Sequence, residues 1–121
     1  MNAINQSSVV DAARVNLRRL RIEDGGAMYR IFGDAEVMRY SDGTKTRQWV
    51  DQWLHEYIDD HYRDWGFGMW AVVERTSGAV IGYCGLSRYP MRCRPNETEI
   101  GFRLIRSHWG RGLATEAVCA V

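Results

Sequence analysis

The sequence predicts an α+β fold with a mostly antiparallel sheet, and three observations support this. Apolar residues repeat every three or four positions between Trp49 and Tyr62, which is the period of a buried helix face. Two apolar segments, GFGMWAVVER (66–75) and VIGYCGLSR (80–88), flank the turn sequence TSGA as the strands of a hairpin do. A third segment, ETEIGFRLI (97–105), alternates apolar and polar side chains. Three strands in succession between helical segments indicate α+β architecture.

The chain before the long helix carries shorter signals. Residues 1–14 are interpreted as a loose polar extension, so that one domain spans 15–121. The segment VNLRRLRI (15–22) alternates imperfectly and predicts an edge strand. A short helix is expected in EDGGAMYRIFGD, with Gly33 as its C-terminal stop. A connector follows, with a turn at Asp42-Gly43.

The long helix and the strands after it are predicted from local residue types. Thr46 is a suitable N-cap for the helix, whose opposite face is acidic and expected to be solvated. Gly82 and Gly85 lie inside the 80–88 strand, which indicates a bulge or the close approach of another backbone. A final helix is expected to begin in LATEAVCAV.

Composition excludes several classes of protein. A chain of 121 residues with net charge +1 favours neither a nucleic-acid-binding nor an acidic-substrate protein. No apolar run approaches the roughly 20 residues of a membrane span, and the N-terminus does not resemble a signal peptide. Three cysteines without a CxxC pattern predict reduced thiols and a cytoplasmic location. Five tryptophans predict large flat contacts, in a core or around a ligand.

The segment HWGRGLATEA (108–117) combines a glycine turn with the start of a helix. The first N–H groups of a helix lack internal partners, and the helix dipole adds partial positive charge there. Glycines allow the backbone to wrap an oxygen-rich group, and Arg111 adds a guanidinium that suits phosphate. The turn is therefore either a phosphate cradle or a tight turn for helix packing. It lacks the GK[ST] of a P-loop and the third glycine of GxGxxG.

The run EIGFRLIRSHWGRGLATEA resembles the acyl-CoA-binding motif of the GNAT N-acetyltransferases. The upstream segments LRRLRIED, DAEVMRY and GFGMWAVVERTSGAVIGYCGL are similar to that family in the same order and spacing. The likeness extends from about Asn16 to the last residue, and is strongest to the branch that acetylates ribosomal-protein N-termini (the RimJ/RimL type). Trp109 stands at the leading position of [QR]xxGx[GA], a departure typical of that branch.

The resemblance implies acetyl-CoA as co-substrate and a primary amine as acceptor, with direct attack in a ternary complex. It implies that the edge of the 97–105 strand pairs with the pantetheine arm and that the glycine turn holds the pyrophosphate. The implied cofactor-binding residues are Phe102, Arg103, Leu104, Trp109, Gly110, Arg111, Gly112, Leu113 and Ala114.

An ammonium has no lone pair, so the acceptor amine needs a general base. Glu99 is the candidate and Glu97 the second choice, with solvated strand carboxylates as the alternative interpretation. Tyr40 and Trp70 resemble residues that line the family's acceptor pocket, although buried aromatics without a functional role are the favoured interpretation of both. The three histidines lack metal-site spacing, so no metal is expected. His108 is interpreted as a surface histidine, with contact to a phosphate as the alternative.

The family's domain normally continues beyond the position of Val121, so the chain is expected to lack the C-terminal part of the domain, including the usual general acid. The 97–105 strand then has an edge open to pairing, which predicts a homodimer through that strand. The competing hypothesis is a non-catalytic remnant that binds acyl-CoA weakly and self-associates. A nucleotide-phosphate binder unrelated to CoA would rest on the glycine turn alone. The acceptor is not determined, since fold does not choose among amines.

Overall fold

The computed structural model describes residues 8–88 and 98–121. Within these residues five strands form one antiparallel sheet in sequence order, which confirms the predicted α+β class. The strands are β1 (Ser8–Asp11), β2 (Val15–Arg19), β3 (Met69–Glu74), β4 (Val80–Ser87) and β5 (Glu99–Leu104). The helices are α1 (Gly25–Phe32), α2 (Arg47–His55), α3 (Tyr62–Trp65) and α4 (Leu113–Ala120).

The first strand corrects two expectations about the N-terminal region. Residues 8–11 are not a loose extension but pair with β2, with Val10 opposite Leu17 and Asp11 opposite Asn16. As a result β2 lies between β1 and β3 and is not an edge strand. Two successive valines in a polar context are too short a signal to predict a strand, and β2 supplies the pairing. Residues 1–7 lie outside the described part of the chain.

The long helix forms where the apolar stripe predicts it. Thr46 is the N-cap, and its Oγ1 accepts a hydrogen bond from the Trp49 N–H at 3.1 Å, as predicted. Between α2 and α3 the backbone passes through a π-helical segment, Glu56–His61. This segment inserts an extra residue into the helical repeat. Tyr57, His61 and Tyr62 are buried there.

Backbone conformation sets the limits of the strands that follow. Gly66 ends the helix with φ +75°, so β3 begins at Met69 and not at the start of the predicted segment. The two glycines of β4 confirm the predicted close approach of other backbone. An added Cβ at Gly82 would lie 2.2 Å from the Arg103 oxygen, and one at Gly85 would lie 2.2 Å from the Gly68 oxygen.

The helices pack on both faces of the sheet. Phe32 of α1 and Trp53 of α2 contact Tyr83 of β4 on one face, with ring centroids 5.5 and 5.2 Å apart. Helix α4 contacts β2, β4 and β5, and its Leu113 and Ala117 are buried. No described helix has the length and apolar content needed to cross a membrane. Residues 89–97, which include Cys93 and Glu97, lie outside the described residues.

Candidate active site

The outer edge of β5 carries backbone groups that point away from the sheet. The Ile105 N–H bonds the Ile81 oxygen at 2.9 Å, which places Ile105 in a hydrogen-bonded pair with β4. Such pairs alternate along an antiparallel ladder, so Arg103 bonds toward β4 while Phe102 and Leu104 direct their N–H and C=O groups outward. Within the described residues no strand lies beyond β5. The strand therefore offers a backbone edge to an extended ligand.

Trp109 contacts the end of this edge. Its indole N–H donates to the Leu104 carbonyl oxygen at 2.9 Å, which satisfies one of the outward acceptors. A 3₁₀ turn, Arg106–His108, brings the tryptophan back to the strand that it follows. The indole thereby covers one end of the β5 edge, and the backbone continues from Trp109 into the glycine turn.

The glycine turn has the backbone geometry that an anion cradle needs. Gly110 and Gly112 both have φ +74°, a left-handed conformation that residues with a Cβ rarely adopt. An added Cβ at Gly110 would meet nothing within 4 Å, so the turn is open on that side. The first hydrogen bond within α4 runs from the Glu116 N–H to the Gly112 oxygen at 3.1 Å. The amides of the preceding residues form the free N-terminal turn of the helix.

A cavity of about 390 Å³ joins the β5 edge to this turn. Its volume lies in the range of small-molecule sites. The structure brings together here eight of the nine residues that the resemblance implies for CoA, all except Arg111. The lining consists of Val37, Phe102, Arg103, Leu104, His108, Trp109, Gly110, Gly112, Leu113, Ala114 and Thr115.

Arg111 points away from this cavity and pairs with Glu74. Its Nη2 lies 3.3 Å from the Glu74 carboxylate, which also lies 3.3 Å from His108 Nε2. The Ser77 hydroxyl donates to the same carboxylate at 2.7 Å. The hydrogen bonds from Ser77 and then from His108, with the charges of His108 and Arg111, lower the pKa of Glu74. His108 therefore lines the cavity and contacts Glu74, with a side chain only 16% exposed, and is not the surface histidine expected from the sequence.

A second ion pair, between Arg14 and Glu116, fixes the other side of the turn. The Glu116 carboxylate accepts from the Arg14 N–H at 2.7 Å, from Arg14 Nε at 2.8 Å and from the Val15 N–H at 3.2 Å. Arg14 Nη1 also donates to the Arg111 carbonyl oxygen at 2.7 Å. The hydrogen bonds that Glu116 accepts, chiefly those from Arg14, lower the pKa of its carboxyl group. No local pattern in the sequence indicates this pair, because its members lie 102 residues apart.

A second cavity, of about 410 Å³, lies on the α1–α2 face of the sheet, and we call it the acceptor cavity. Glu99 lines it at the start of β5, and Phe102 and Arg103 line both cavities. The candidate base thus lies where an acceptor and an extended ligand on β5 would meet. The other residues that line the acceptor cavity are Phe32, Met38, Asp42, Lys45, Trp49, Trp53, Tyr57, Met69, Tyr83, Ser87, Ile100 and Gly101.

The two aromatic residues chosen from the sequence for the acceptor pocket do not line this cavity. Tyr40 is 91% exposed, with the Arg39 guanidinium 5.2 Å from its ring centroid. Trp70 is buried and stacks on Tyr62 at 5.1 Å. The aromatic lining comes instead from α1, the helical stripe, β4 and β5, whose apolar positions predict a core face. In the sequence, only the high tryptophan content indicated that aromatic side chains could contact a ligand.

Within residues 8–88 and 98–121, no cluster of three or more His, Cys, Asp or Glu side chains is arranged to hold a metal ion. The groups that line the two cavities are backbone edges, aromatic rings and charged side chains.

The comparisons with known proteins agree with this geometry. The chain is 28% identical over 111 residues to the N-acetyltransferase p20 of Bacillus licheniformis, covering 87% of this chain and 58% of that protein. A solved acetyltransferase from Agrobacterium tumefaciens superimposes with TM-score 0.76 at 24% identity, covering 92% of this chain and 62% of that one. The PaiA N-acetyltransferase of Thermoplasma acidophilum, solved in complex with coenzyme A, gives TM-score 0.51 at 14% identity, covering 87% and 67%.

The two solved structures share the fold, and the chain spans about three fifths to two thirds of the length of these three proteins. The family model described as the acetyltransferase (GNAT) domain matches residues 14–121. This match covers most of the chain and includes β2 to β5, the glycine turn and α4. The chain belongs to the acetyltransferase (GNAT) family.

Proposed function

We propose that this protein transfers an acetyl group from acetyl-CoA to a primary amine. The observation that carries the proposal is the continuity of the outward β5 edge with the glycine turn at the start of α4. A backbone edge suits the amide groups of a pantetheine arm, which can pair with it as an added strand. The free amides of the turn and the helix dipole suit a pyrophosphate. The CoA complex of the T. acidophilum protein supports the same assignment.

The chemistry then requires one base and one polarising group. The amine nitrogen attacks the thioester carbonyl carbon, the C–S bond breaks, and the thiolate of CoA leaves. Glu99 takes the proton that the amine loses, directly or through one water, because it lines the acceptor cavity beside Phe102. An outward backbone N–H of β5 is suited to stabilise the charge that develops on the carbonyl oxygen.

The acceptor class and the location belong to the same proposal. A protein N-terminus, as in the ribosomal-protein branch, and a small-molecule amine are both candidates. The free thiols of Cys84 and Cys119 support a reducing, cytoplasmic setting.

A matched pair of glycine variants tests acetyl-CoA binding. Gly110→Ala and Gly78→Ala place a Cβ at φ +74° and +72°, and neither Cβ meets another atom within 4 Å. Both variants should therefore lose similar stability, about 1–2 kcal/mol. Only Gly110 lines the cavity at the turn, so only Gly110→Ala should weaken acetyl-CoA binding in a calorimetric titration. Equal affinities for both variants, or no binding by the folded wild type, would contradict the proposal.

The role of Glu99 is tested by turnover with an amine acceptor. Glu99→Gln keeps the size of the side chain but removes the base, and a general base contributes about 10²–10⁴-fold to rate. We expect kcat to fall by that order while acetyl-CoA affinity stays within about twofold. Acetyl-CoA binding without turnover in the wild type would favour the non-catalytic remnant.

The open β5 edge also suits a second copy of the chain, so we propose a homodimer as its alternative occupant. Pairing and acetyl-CoA would use the same outward backbone groups, those of Phe102 and the N–H of Leu104, so they should exclude each other. Light scattering after size exclusion should show a dimer that dissociates on addition of acetyl-CoA. A mass that is monomeric throughout, or unaffected by acetyl-CoA, would remove this part of the proposal.

A further inference from the structure

The walls of the acceptor cavity are aromatic rings that hold one another in place. Phe32 stacks on Tyr83 at 5.5 Å and meets Trp49 edge-on at 4.9 Å. Trp53 packs 5.2 Å from both Tyr57 and Tyr83. Such contacts make a rigid apolar wall, suited to an apolar part of a ligand.

Among the described residues, two cations line this wall, and one of them is paired with a carboxylate. Lys45 Nζ lies 2.9 Å from the Asp42 carboxylate and 5.2 Å from the Trp49 ring centroid. The hydrogen bond and the charge of Lys45 are the main causes that lower the pKa of Asp42, while the charge of Arg103 is the smallest. Asp42 is therefore the partner of Lys45.

Arg103 is held in position without a carboxylate. Its guanidinium donates to the hydroxyls of Tyr83 and Ser41 and lies 5.8 Å from the centroid of the Phe32 ring. In the part of the chain that the structure describes, no carboxylate lies within ion-pair distance of Arg103. Hydroxyl acceptors orient the guanidinium but leave its charge unbalanced. A guanidinium fixed beside an apolar wall favours a carboxylate, which it can bind through two parallel N–H groups.

Arg103 and Glu99 occupy the same face of β5, because they are four residues apart in a strand of period two. At about 3.3 Å per residue their Cα atoms are separated by about 13 Å. Both side chains line the acceptor cavity, one as a potential base and the other as a fixed cation. A ligand lying along β5 would present an amine to Glu99 and a negative group to Arg103.

We propose that the acceptor is an amine that also carries a carboxylate and an apolar group, with Arg103 binding the carboxylate. This inference rests on the proposed acetyl transfer and names its substrate class. A polyamine would place a further positive charge beside Arg103 without compensation. A protein N-terminus brings no carboxylate of its own next to the amine, so Arg103 would keep only the hydroxyl partners that the described residues provide.

Two pairs of probes test the requirement for the carboxylate. L-phenylalanine is compared with 2-phenylethylamine, and glycyl-L-phenylalanine with its C-terminal amide, so that both short and long separations of the charges are covered. Binding is followed by tryptophan fluorescence, because Trp49 and Trp53 line the cavity. For at least one pair we expect the acid to bind about 10- to 100-fold more tightly than its analogue without the carboxylate, as charge-assisted hydrogen bonds require.

Variants then assign the preference to Arg103. Arg103→Met should abolish it and Arg103→Lys should keep part of it. Tyr83→Phe, which removes one anchoring hydroxyl, should reduce the preference without moving the charge. Arg63→Met is the matched control, because Arg63 is exposed and pairs with Asp60 and Asp64 on the outer side of the helix. Circular dichroism confirms that each variant is folded.

The outcomes separate this inference from the proposed function. The inference is overturned if probes with and without the carboxylate bind equally, or if neither pair binds. It is also overturned if the preference for the carboxylate survives in Arg103→Met. Acetyl transfer to amines with no preference for a carboxylate also overturns it, while the proposed function stands. A carboxylate preference in binding, lost in Arg103→Met, without any acetyl transfer supports the site but refutes the transfer.

Discussion

Replacing Glu116 by glutamine tests whether one carboxylate fixes the start of α4 against β2. The side chain accepts hydrogen bonds from the Arg14 N–H, the Arg14 guanidinium and the Val15 N–H. A charge-assisted hydrogen bond contributes about 1.5–3 kcal/mol when well formed. The Arg14 side chain is 51% exposed, so the guanidinium contributes only about 0–1 kcal/mol. Glutamine keeps one acceptor oxygen, and we therefore expect a loss of about 1–3 kcal/mol at neutral pH.

The pH dependence of this loss has a definite sign. Hydrogen bonds from Arg14 lower the pKa of Glu116 in the folded protein. A lowered pKa stabilises the folded state above the unfolded value, about 4.3, and that stabilisation is lost as the pH falls through the folded pKa. The difference in unfolding free energy between wild type and Glu116→Gln should thus be largest near pH 7 and smaller at pH 3.

Urea unfolding at the two pH values measures this difference. Glu36→Gln is the control, because Glu36 forms an exposed pair with Arg39 and should cost at most about 0.5 kcal/mol. Acetyl-CoA affinity should also fall in Glu116→Gln, since Arg14 anchors the Arg111 carbonyl of the turn. A loss no larger than that of the control, or one that grows at pH 3, would refute the reasoning.

Two further predictions concern buried groups. The ring of His61 accepts from the Arg88 N–H at 3.0 Å and contacts the Phe67 oxygen at 2.7 Å. His61→Phe leaves both backbone groups without this partner, and urea unfolding should show a loss of about 2–4 kcal/mol; a loss below 1 kcal/mol would contradict the assignment. Burial raises the pKa of Cys84 to about 11, whereas Cys119 is exposed. Iodoacetamide at pH 8 should therefore alkylate the Cys119 peptide well before the Cys84 peptide, as mass spectrometry would show; equal rates would refute this.

Local patterns were sufficient to predict most of the secondary structure. The stripe from Trp49 to Tyr62 and the cap at Thr46 predicted the long helix, because period and capping depend on neighbours in sequence. Alternation in 97–105 predicted β5 for the same reason. The π-helical segment Glu56–His61 has no such signal, since one extra residue in a turn leaves the pattern of apolar positions nearly unchanged.

The candidate site likewise combines features that local sequence patterns predict with features that depend on tertiary packing. The glycine turn and the β5 edge were predictable, because φ above zero and strand alternation are properties of single segments. The assignments of Glu99 as base and of Phe102 and Leu104 as the pairing edge remain predictions that the geometry is consistent with. Tyr40 and Trp70 were placed in the acceptor pocket by resemblance, but neither lines the acceptor cavity, because the fold of a connector and the packing on Tyr62 decide where they point.

By itself, the sequence determined the α+β class, the order of the helices and strands from β2 onward, and the family to which the glycine turn belongs. Only the tertiary structure decided the partners of the charges. Arg14 pairs with Glu116, Arg111 pairs with Glu74, and Arg103 donates a hydrogen bond to the Tyr83 hydroxyl. These contacts join residues that lie 20 to 102 positions apart. Such contacts depend on how the sheet and its helices pack, and no periodicity within a single segment encodes them.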